Sequence, residues 1–318
     1  TVRMWDLASV EARPVINRSR CLFKLEYAKG TPINFKGIVC LTPYVVTYTA
    51  DGYIYVFEPQ DSTLTLVCQF KVGSGTATTS TSPRHNTCSS PGSPSSIALS
   101  HGSNGSSSSS IPVMITAICA LSTNVFAVSL TNSVLYGYDV RHIQTKRFFV
   151  PCFKVSLATH HRTITSIDGS DVALFAATAT GKMVGFDLRF RLRVVEFDQP
   201  PNGQQATHIT RIRYTPDGLY SCAAGSADIS LWDYKLAQLI KILRTAVTNV
   251  DKRRPGGGDK SSISVVNAIL PIGSSTNNQT AGTCGLITGG NDMRIRYWDL
   301  ATPERSYVVS DPAFKSCS

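Results

Sequence analysis

Short stretches of alternating apolar and polar residues, each ending in an aromatic residue and an acid, recur along the whole chain. A period of two is typical of a β-strand with one face buried. The acids follow one another at intervals of roughly 45 to 80 residues, so the pattern is an internal repeat. The six segments are VRMWDL (Trp5), IYVFEP (Phe57), LYGYDV (Tyr138), MVGFDL (Phe186), ISLWDY (Trp232) and IRYWDL (Trp298).

Turn-forming residues precede five of these segments, in the sequences TADG, LTNS, TATG, GSAD and GGND. Gly, Asn and Asp tolerate the positive φ that tight hairpin turns need, so each turn is predicted to join the second and third strands of a unit. We expect the aromatic residue to fill the gap between neighbouring units and the acid to close the following loop. The residues predicted to carry this motif are Trp5, Asp6, Asp228, Trp232, Asp233, Asp292, Trp298 and Asp299.

A single sheet of this kind cannot bury both of its faces, whereas a ring of sheets can. The repeats resemble the WD-repeat β-propeller family, which implies an all-β fold. About five full blades are predicted, at 31–72, 111–157, 162–199, 207–245 and 263–312, after part of another at 1–28. In the blade at 207–245, His208, Asp228 and Trp232 match three positions of the family's hydrogen-bonded His, Asp, Ser/Thr and Trp set, for which we expect a structural role.

Two segments interrupt the repeat within the domain at 1–318. The stretch 73–110 is rich in Ser, Thr and Gly and almost free of large apolar residues, which predicts a disordered insert. The stretch 245–262 is predicted to be a basic, Gly-rich loop. The chain begins at Thr1, within the repeat pattern and without an initiator Met, which suggests a piece of a longer protein.

Composition narrows the class of protein further. The net charge of +10 favours anionic partners, but the basic residues are spread out, so we expect a solvated surface and no nucleic-acid partner. The nine cysteines are scattered without a C-x-x-C pair, which favours free thiols in a reducing compartment. No apolar run is long enough to span a membrane.

Signatures of catalysis are missing from the sequence. It contains no P-loop, no G-x-S-x-G elbow, no H-E-x-x-H motif and none of the protein-kinase motifs. We therefore predict no catalytic residue, no cofactor and no metal site in this chain.

Three segments, in order along the chain, carry a more specific resemblance. The stretch GGNDMRIRYWDLATPERSYVV at 289–309, with TVRMWDLASVEARPVINRS at 1–19 and GKMVGFDLRFRL at 181–192, is similar to the WD-repeat region of the regulatory, protein-kinase-like subunit of class III phosphatidylinositol 3-kinase (the phosphoinositide 3-kinase regulatory subunit 4 family). The insert at 73–110 is longer than that family leads us to expect. The family's kinase-like domain and helical repeats would lie upstream of Thr1.

The resemblance implies a non-catalytic scaffold for autophagy and endosomal or vacuolar sorting. Its partners would be the lipid kinase catalytic subunit and Beclin-type and coiled-coil subunits. The location would be cytoplasmic, peripheral on endosomal and autophagosomal membranes. Candidate contacts are Arg189, Phe190, Arg305 and Tyr307, residue types that anchor interfaces but also pack between blades.

Two alternatives stay open. The first is a stand-alone propeller that reads a basic or modified peptide or RNA in its central channel. The second is a propeller enzyme, which would need acidic or His clusters at the axis, whereas Asp228 and Asp292 are better explained by tight turns. The full-length gene discriminates between scaffold and reader, because only the scaffold would carry the upstream domains.

Overall fold

The computed structural model describes residues 2–6, 20–25, 34–60, 63–72, 77–78, 113–142, 150–157, 163–199, 208–215, 220–224, 228–244, 265–273 and 283–310. Within these ranges the chain is almost entirely β-structure, in six antiparallel sheets that we number in chain order. The prediction of an all-β chain built from repeated sheets is confirmed. No helix in the described ranges has the length and apolar character needed to cross a membrane.

The strands are short, as expected for turns every few residues. Sheet 1 holds β1 (Val2–Asp6) and β2 (Arg20–Leu25). Sheet 2 holds β3 (Phe35–Cys40), β4 (Val45–Thr49), β5 (Tyr53–Gln60), β6 (Thr63–Lys71) and β7 (Ala77–Thr78). Sheet 3 holds β8 (Ile115–Ala120), β9 (Val125–Leu130), β10 (Val134–Asp139) and β11 (Phe153–Ser156).

Sheets 4 to 6 each have four strands as well. Sheet 4 holds β12 (Ile164–Gly169), β13 (Ala173–Thr178), β14 (Lys182–Asp187) and β15 (Leu192–Asp198). Sheet 5 holds β16 (Arg211–Tyr214), β17 (Tyr220–Ala224), β18 (Asp228–Asp233) and β19 (Gln238–Arg244). Sheet 6 holds β20 (Val266–Gly273), β21 (Thr283–Gly290), β22 (Ile295–Asp299) and β23 (Tyr307–Ser310). Short 3-10 turns cover Val140–His142 and Pro303–Arg305.

Strand order within every sheet follows chain order, so each sheet is an up-and-down meander. Two residues of the predicted insert, Ala77–Thr78, extend sheet 2 by pairing with Phe70 and Gln69. The rest of 73–110, and the predicted loop at 245–262, lie outside the described residues.

Two turns between the second and third strands place a glycine at positive φ, as the sequence predicts, whereas two others use a residue next to the predicted Asn or Asp. Gly52 has a φ of 93° between β4 and β5, and Gly181 has a φ of 81° between β13 and β14. In the corresponding turns of sheets 3 and 6 the residue with positive φ is Ser133, at 62°, and Met293, at 58°. Glycine adopts this conformation without the steric cost that a side chain brings.

Apolar cores lie between successive sheets and not within any one of them. The four clusters of buried side chains join sheets 2 and 3, sheets 3 and 4, sheets 4 and 5, and sheets 5 and 6. The aromatic residue of the repeat lies at these boundaries: the Tyr138 ring is 5.1 Å from Phe70 of the preceding sheet, and the Trp232 ring is 4.7 Å from Phe197. The sheets are therefore stacked side by side in chain order.

Side chains on the first strands tie neighbouring sheets together. Ser166 Oγ accepts from the Ile212 N–H at 3.3 Å, and Asp168 Oδ2 accepts from the Tyr214 N–H at 2.8 Å. Thr210 Oγ1 donates to the Val266 carbonyl at 2.6 Å on the next sheet. A first strand has one edge without a strand partner, and an unpaired buried backbone group is costly. These bonds satisfy that edge and fix the approach of each sheet to the next.

Four cysteines on the described strands and loops are free, and their environments differ. Cys68 and Cys119 are buried, and burial raises the pKa of the Cys68 thiol to about 12. Cys40 and Cys152 are exposed.

Candidate functional site

Four sheets end their third strand in a carboxylate that closes the next turn. Oδ1 accepts from the backbone N–H two residues later, at 2.9 Å for Asp139, 2.9 Å for Asp187, 2.8 Å for Asp233 and 2.9 Å for Asp299. Such a bond holds a turn in one conformation. These contacts agree with the role expected for the acid of the repeat, at Asp233 and Asp299 among others.

Two of these carboxylates also pair with the arginine two residues on. The Arg141 guanidinium beside Asp139 holds the pKa of that carboxyl below its usual value, and Arg189 does the same for Asp187. Arg189 Nη2 lies 2.6 Å from Asp187 Oδ2, and its guanidinium lies 5.6 Å from the Phe190 ring centroid. The two candidate contacts Arg189 and Phe190 are thus held together at an exposed turn of sheet 4, with Phe190 68% exposed.

The other two candidate contacts lie at the outer strand of sheet 6. Arg305 is exposed in the turn that precedes β23, and Tyr307 begins that strand with 59% of its surface exposed. The Tyr307 ring lies 5.3 Å from the Tyr297 ring, which orients it on the sheet edge. Ser306 Oγ accepts from the Asp299 N–H at 3.0 Å and anchors the turn between them.

Trp232 and Trp298 differ in how their indole N–H groups are satisfied. Trp298 donates at 2.9 Å to Thr288 Oγ1, on the neighbouring strand. In sheet 5 the corresponding neighbour is Ala223, which faces Ser230 in the register. Trp232 donates instead at 2.8 Å to Ser230 Oγ, on its own strand.

Ser230 extends this hydrogen-bond network to Gln199, a residue that the sequence analysis did not single out. Its hydroxyl donates at 2.5 Å to Gln199 Oε1, and both side chains are buried. His208 is exposed, and Asp228 is half-buried at the start of β18. Ser230 lies two residues before Trp232 and therefore on the same side of β18. This spacing could have identified Ser230 from the sequence as a partner of the indole. No comparable signal pointed to Gln199, because it reaches Ser230 from the end of the preceding sheet.

The remaining motif residues are placed as follows. Asp292 lies in the turn before β22, accepts from the Arg294 N–H at 3.2 Å and forms an ion pair of 2.5 Å with the buried Arg296. Trp5 and Asp6 lie on β1 and pair with Cys21 and Arg20 of β2, while their side chains are outside the described structure.

A cavity of about 520 Å³ lies where the first strands of sheets 2 to 6 meet. Strands β3, β8, β12, β16 and β20 each contribute to its wall. Tyr48 spans part of it, because its hydroxyl donates to the Thr116 carbonyl at 3.2 Å. The sequence suggested a central channel for the stand-alone alternative, but it could not identify the lining residues, because they are drawn from five separate repeats.

The charge of the cavity wall is predominantly positive. Lys36, Arg211 and Arg213 line it. Arg213 Nη1 lies 3.9 Å from Asp168 Oδ2, and burial raises the pKa of the Asp168 carboxyl. Arg211 Nε donates at 3.0 Å to the Asn267 carbonyl. Among the described side chains, no ion pair is formed by Lys36 or Arg211.

The described residues contain no group of three or more His, Cys, Asp or Glu side chains that could hold a metal ion. The features that the described residues do offer to a partner are the carboxylate-closed turns, the exposed sheet edges and the basic cavity.

Comparison with known proteins shows a partial similarity. No family model matches the chain. A curated protein from Arabidopsis thaliana, described as serine/threonine-protein kinase VPS15, is 26% identical over 167 residues, covering 44% of this chain and 11% of the relative. The chain thus matches about a tenth of the length of that protein.

Proposed function

We propose that this chain is a WD-repeat β-propeller region of a regulatory, protein-kinase-like subunit of class III phosphatidylinositol 3-kinase, with a non-catalytic scaffold role. The observation that carries the proposal is the partial similarity to VPS15, in a chain that also holds six aromatic–acid repeats. Five sheets that line one cavity by their first strands fit the blades of a propeller.

Rigidity is what a docking scaffold requires, because an interface loses affinity when side chains and loops must be ordered on binding. The buried boundaries between sheets and the carboxylate-closed turns at Asp139, Asp187, Asp233 and Asp299 provide that order before a partner arrives. Loops held on such a frame present the same surface to each partner.

Two exposed pairs are the proposed partner contacts. Arg189 and Phe190 lie against each other at the turn of sheet 4. Arg305 and Tyr307 are both exposed at the outer edge of sheet 6. Exposed aromatic rings beside guanidinium groups can bury a large area and still make directed hydrogen bonds, which is why Tyr and Arg dominate binding hot spots.

In this proposal the partners are the lipid kinase catalytic subunit and the Beclin-type and coiled-coil subunits. The complex would act in autophagy and endosomal sorting, on the cytoplasmic side of endosomal and autophagosomal membranes. The chain would reach those membranes through the complex. Phosphotransfer, if the parent protein performs it, would belong to residues upstream of this region.

Affinity purification of the intact parent protein tests the proposal. We expect the class III lipid kinase catalytic subunit to be recovered in stoichiometric amount. Intact, soluble parent protein that recovers no lipid kinase would overturn the assignment. Sequencing the full-length gene gives a second test, since the proposal requires a kinase-like domain and helical repeats before Thr1.

A second candidate, a stand-alone propeller that binds a peptide, is favoured by one observation, the polar cavity at the first strands. A short gene without upstream domains, and without lipid kinase association, would favour it.

A further inference from the structure

The described lining residues of the cavity at the first strands include three cations, Lys36, Arg211 and Arg213, and no carboxylate. Asp168 lies behind the wall, 3.9 Å from Arg213 Nη1, where it is mostly buried and already accepts the Tyr214 N–H. Lys36 and Arg211 are exposed, so both cations are accessible from solvent. A concave surface lined by one sign of charge attracts the opposite sign more strongly than a flat one.

The two arginines have a spacing that matters for the ligand. Arg211 and Arg213 alternate with Ile212, which is fully buried in the core between sheets 4 and 5. Their side chains therefore leave the same side of β16, about 7 Å apart along the strand, as any residues i and i+2 do. From there Arg213 extends toward Asp168 of sheet 4 and Arg211 toward the Asn267 carbonyl of sheet 6. An extended peptide presents its own alternate side chains at the same interval.

From this match we infer that the cavity binds an extended acidic segment of a protein, with carboxylates at alternate positions. Two successive carboxylates would meet Arg211 and Arg213, and Lys36 on β3 would contact the segment from another strand of the wall. The volume of about 520 Å³ accommodates a few residues in extended form and not a folded domain.

Single-stranded RNA fits the cavity less well. Proteins that bind single strands stack the bases on accessible aromatic rings. Tyr48 is the aromatic residue among the described lining residues; the residue is 6% exposed, and its hydroxyl donates to the Thr116 carbonyl. The basic peptide considered from the sequence is disfavoured by the same positive charge.

The inference depends on the cavity and not on the proposed lipid kinase association, because the outer contacts at Arg189, Phe190, Arg305 and Tyr307 are separate from the cavity lining. The two proposals can fail independently. Loss of lipid kinase recovery with intact peptide binding would overturn only the scaffold assignment.

Fluorescence anisotropy of the intact protein tests the inference with a fluorescein-labelled peptide of four Glu-Ser repeats. We expect binding that weakens as salt rises from about 0.05 to about 0.5 M, because screening shortens the reach of exposed charges. The matched Gln-Ser peptide should not bind. Equal binding of the Gln-Ser peptide, or no binding of either, would overturn the inference.

Variants localise the binding to the cavity. Arg211→Gln and Lys36→Gln should each weaken Glu-Ser binding by up to about fivefold, the range of an exposed ion pair. Arg211→Lys should retain most of it. Lys235→Gln removes the same charge from the exposed turn after Asp233 and should leave binding unchanged. If Arg211→Gln shifts the urea midpoint, Lys36→Gln alone decides the question.

Competing probes decide the ligand class. A single-stranded RNA of about 12 nucleotides, enough to fill a single-strand site, or inorganic pyrophosphate should displace the Glu-Ser peptide only weakly. Displacement by RNA at lower concentration than by unlabelled peptide would identify a nucleic-acid site. Displacement by pyrophosphate with the affinity of the peptide would identify a small-anion site. Either result would contradict an extended acidic protein segment.

Discussion

The ring of Trp232 lies 4.7 Å from the ring of Phe197, across the boundary between two successive sheets. Trp232 is the last residue but one of the third strand of sheet 5, and Phe197 lies on the last strand of sheet 4. The Tyr138 ring repeats this relation with Phe70 one boundary earlier in the chain, at 5.1 Å. Tyr138 and Trp232 thus each stabilise the contact of their own sheet with the sheet before it.

Removing this aromatic contact should destabilise the whole stack. Trp232→Ala is expected to lower the free energy of unfolding by about 3–5 kcal/mol, the cost of truncating a buried aromatic side chain. Urea denaturation followed by far-UV circular dichroism measures it. Leu236→Ala, at a side chain 65% exposed in the next turn, is the control and should change stability by less than about 0.5 kcal/mol. Equal effects of the two variants would contradict the packing role.

The hydroxyl of Ser230 should contribute more to the free energy of unfolding than its small size suggests. It accepts from the Trp232 indole N–H and donates to Gln199, all three being buried. Ser230→Ala leaves two buried polar groups without this partner, so a loss of about 1–3 kcal/mol is expected. A double-mutant cycle with Trp232→Phe measures the coupling. Strict additivity would show that the hydrogen bond contributes nothing.

Glycine at position 185 should resist substitution for steric reasons. A Cβ there would lie 2.6 Å from Val195 Cγ1 and 2.7 Å from Phe175 Cε1, both in packed surroundings. Gly185→Ala is expected to cost about 1–3 kcal/mol through overpacking. Gly289→Ala, also in a strand, is the control, since its Cβ would meet Ala268 Cβ at 3.9 Å. The prediction fails if thermal unfolding shows both variants at the same midpoint.

The stability of the chain should depend on pH in opposite directions at two acids. Burial raises the pKa of Asp168, so ionisation costs native-state stability as pH rises above about 4, the ordinary value. Arg141 lowers the pKa of Asp139, so its contribution is present above about 4 and is lost as pH falls through the lowered pKa.

Two isosteric variants measure these signs. The pH is raised from about 3.5 to about 7.5, a range that spans the ordinary carboxyl pKa. Over this range the stability of Asp168→Asn should rise relative to that of the unsubstituted protein, whereas the stability of Asp139→Asn should fall relative to it. Urea midpoints at the two pH values provide the comparison. A pH change of the same sign for both variants would contradict the two environments.

The outer edge of sheet 6 should contribute to capture of the lipid kinase. Tyr307→Ala is expected to reduce recovery of the catalytic subunit at least about fivefold, the loss of one interface anchor of about 1 kcal/mol or more. Met293→Ala, at a side chain 75% exposed in a turn of the same sheet, serves as the control. Recovery that is equal for both variants would remove Tyr307 from the proposed contacts.

The sequence predicted the repeat well, because its determinants are local. Alternation, turn residues and the terminal acid act within one unit, so the place of Asp233 and Asp299 in the repeat is enough to predict that they close turns. The partner of Ser230 could not be predicted, since Gln199 comes from a different sheet. The lining of the basic cavity was missed for the same reason, as its residues converge only when five sheets assemble.

Electron cryo-microscopy of the intact parent protein tests the central claim most directly, namely that the aromatic–acid repeats are equivalent blades around one hub. The account predicts that Trp232 and Trp298 each lie at the boundary with the preceding sheet, and that the strands starting at Phe35, Ile115, Ile164, Arg211 and Val266 surround a common axis. Density that places these two tryptophans on helices, or in environments unrelated to each other, would contradict it.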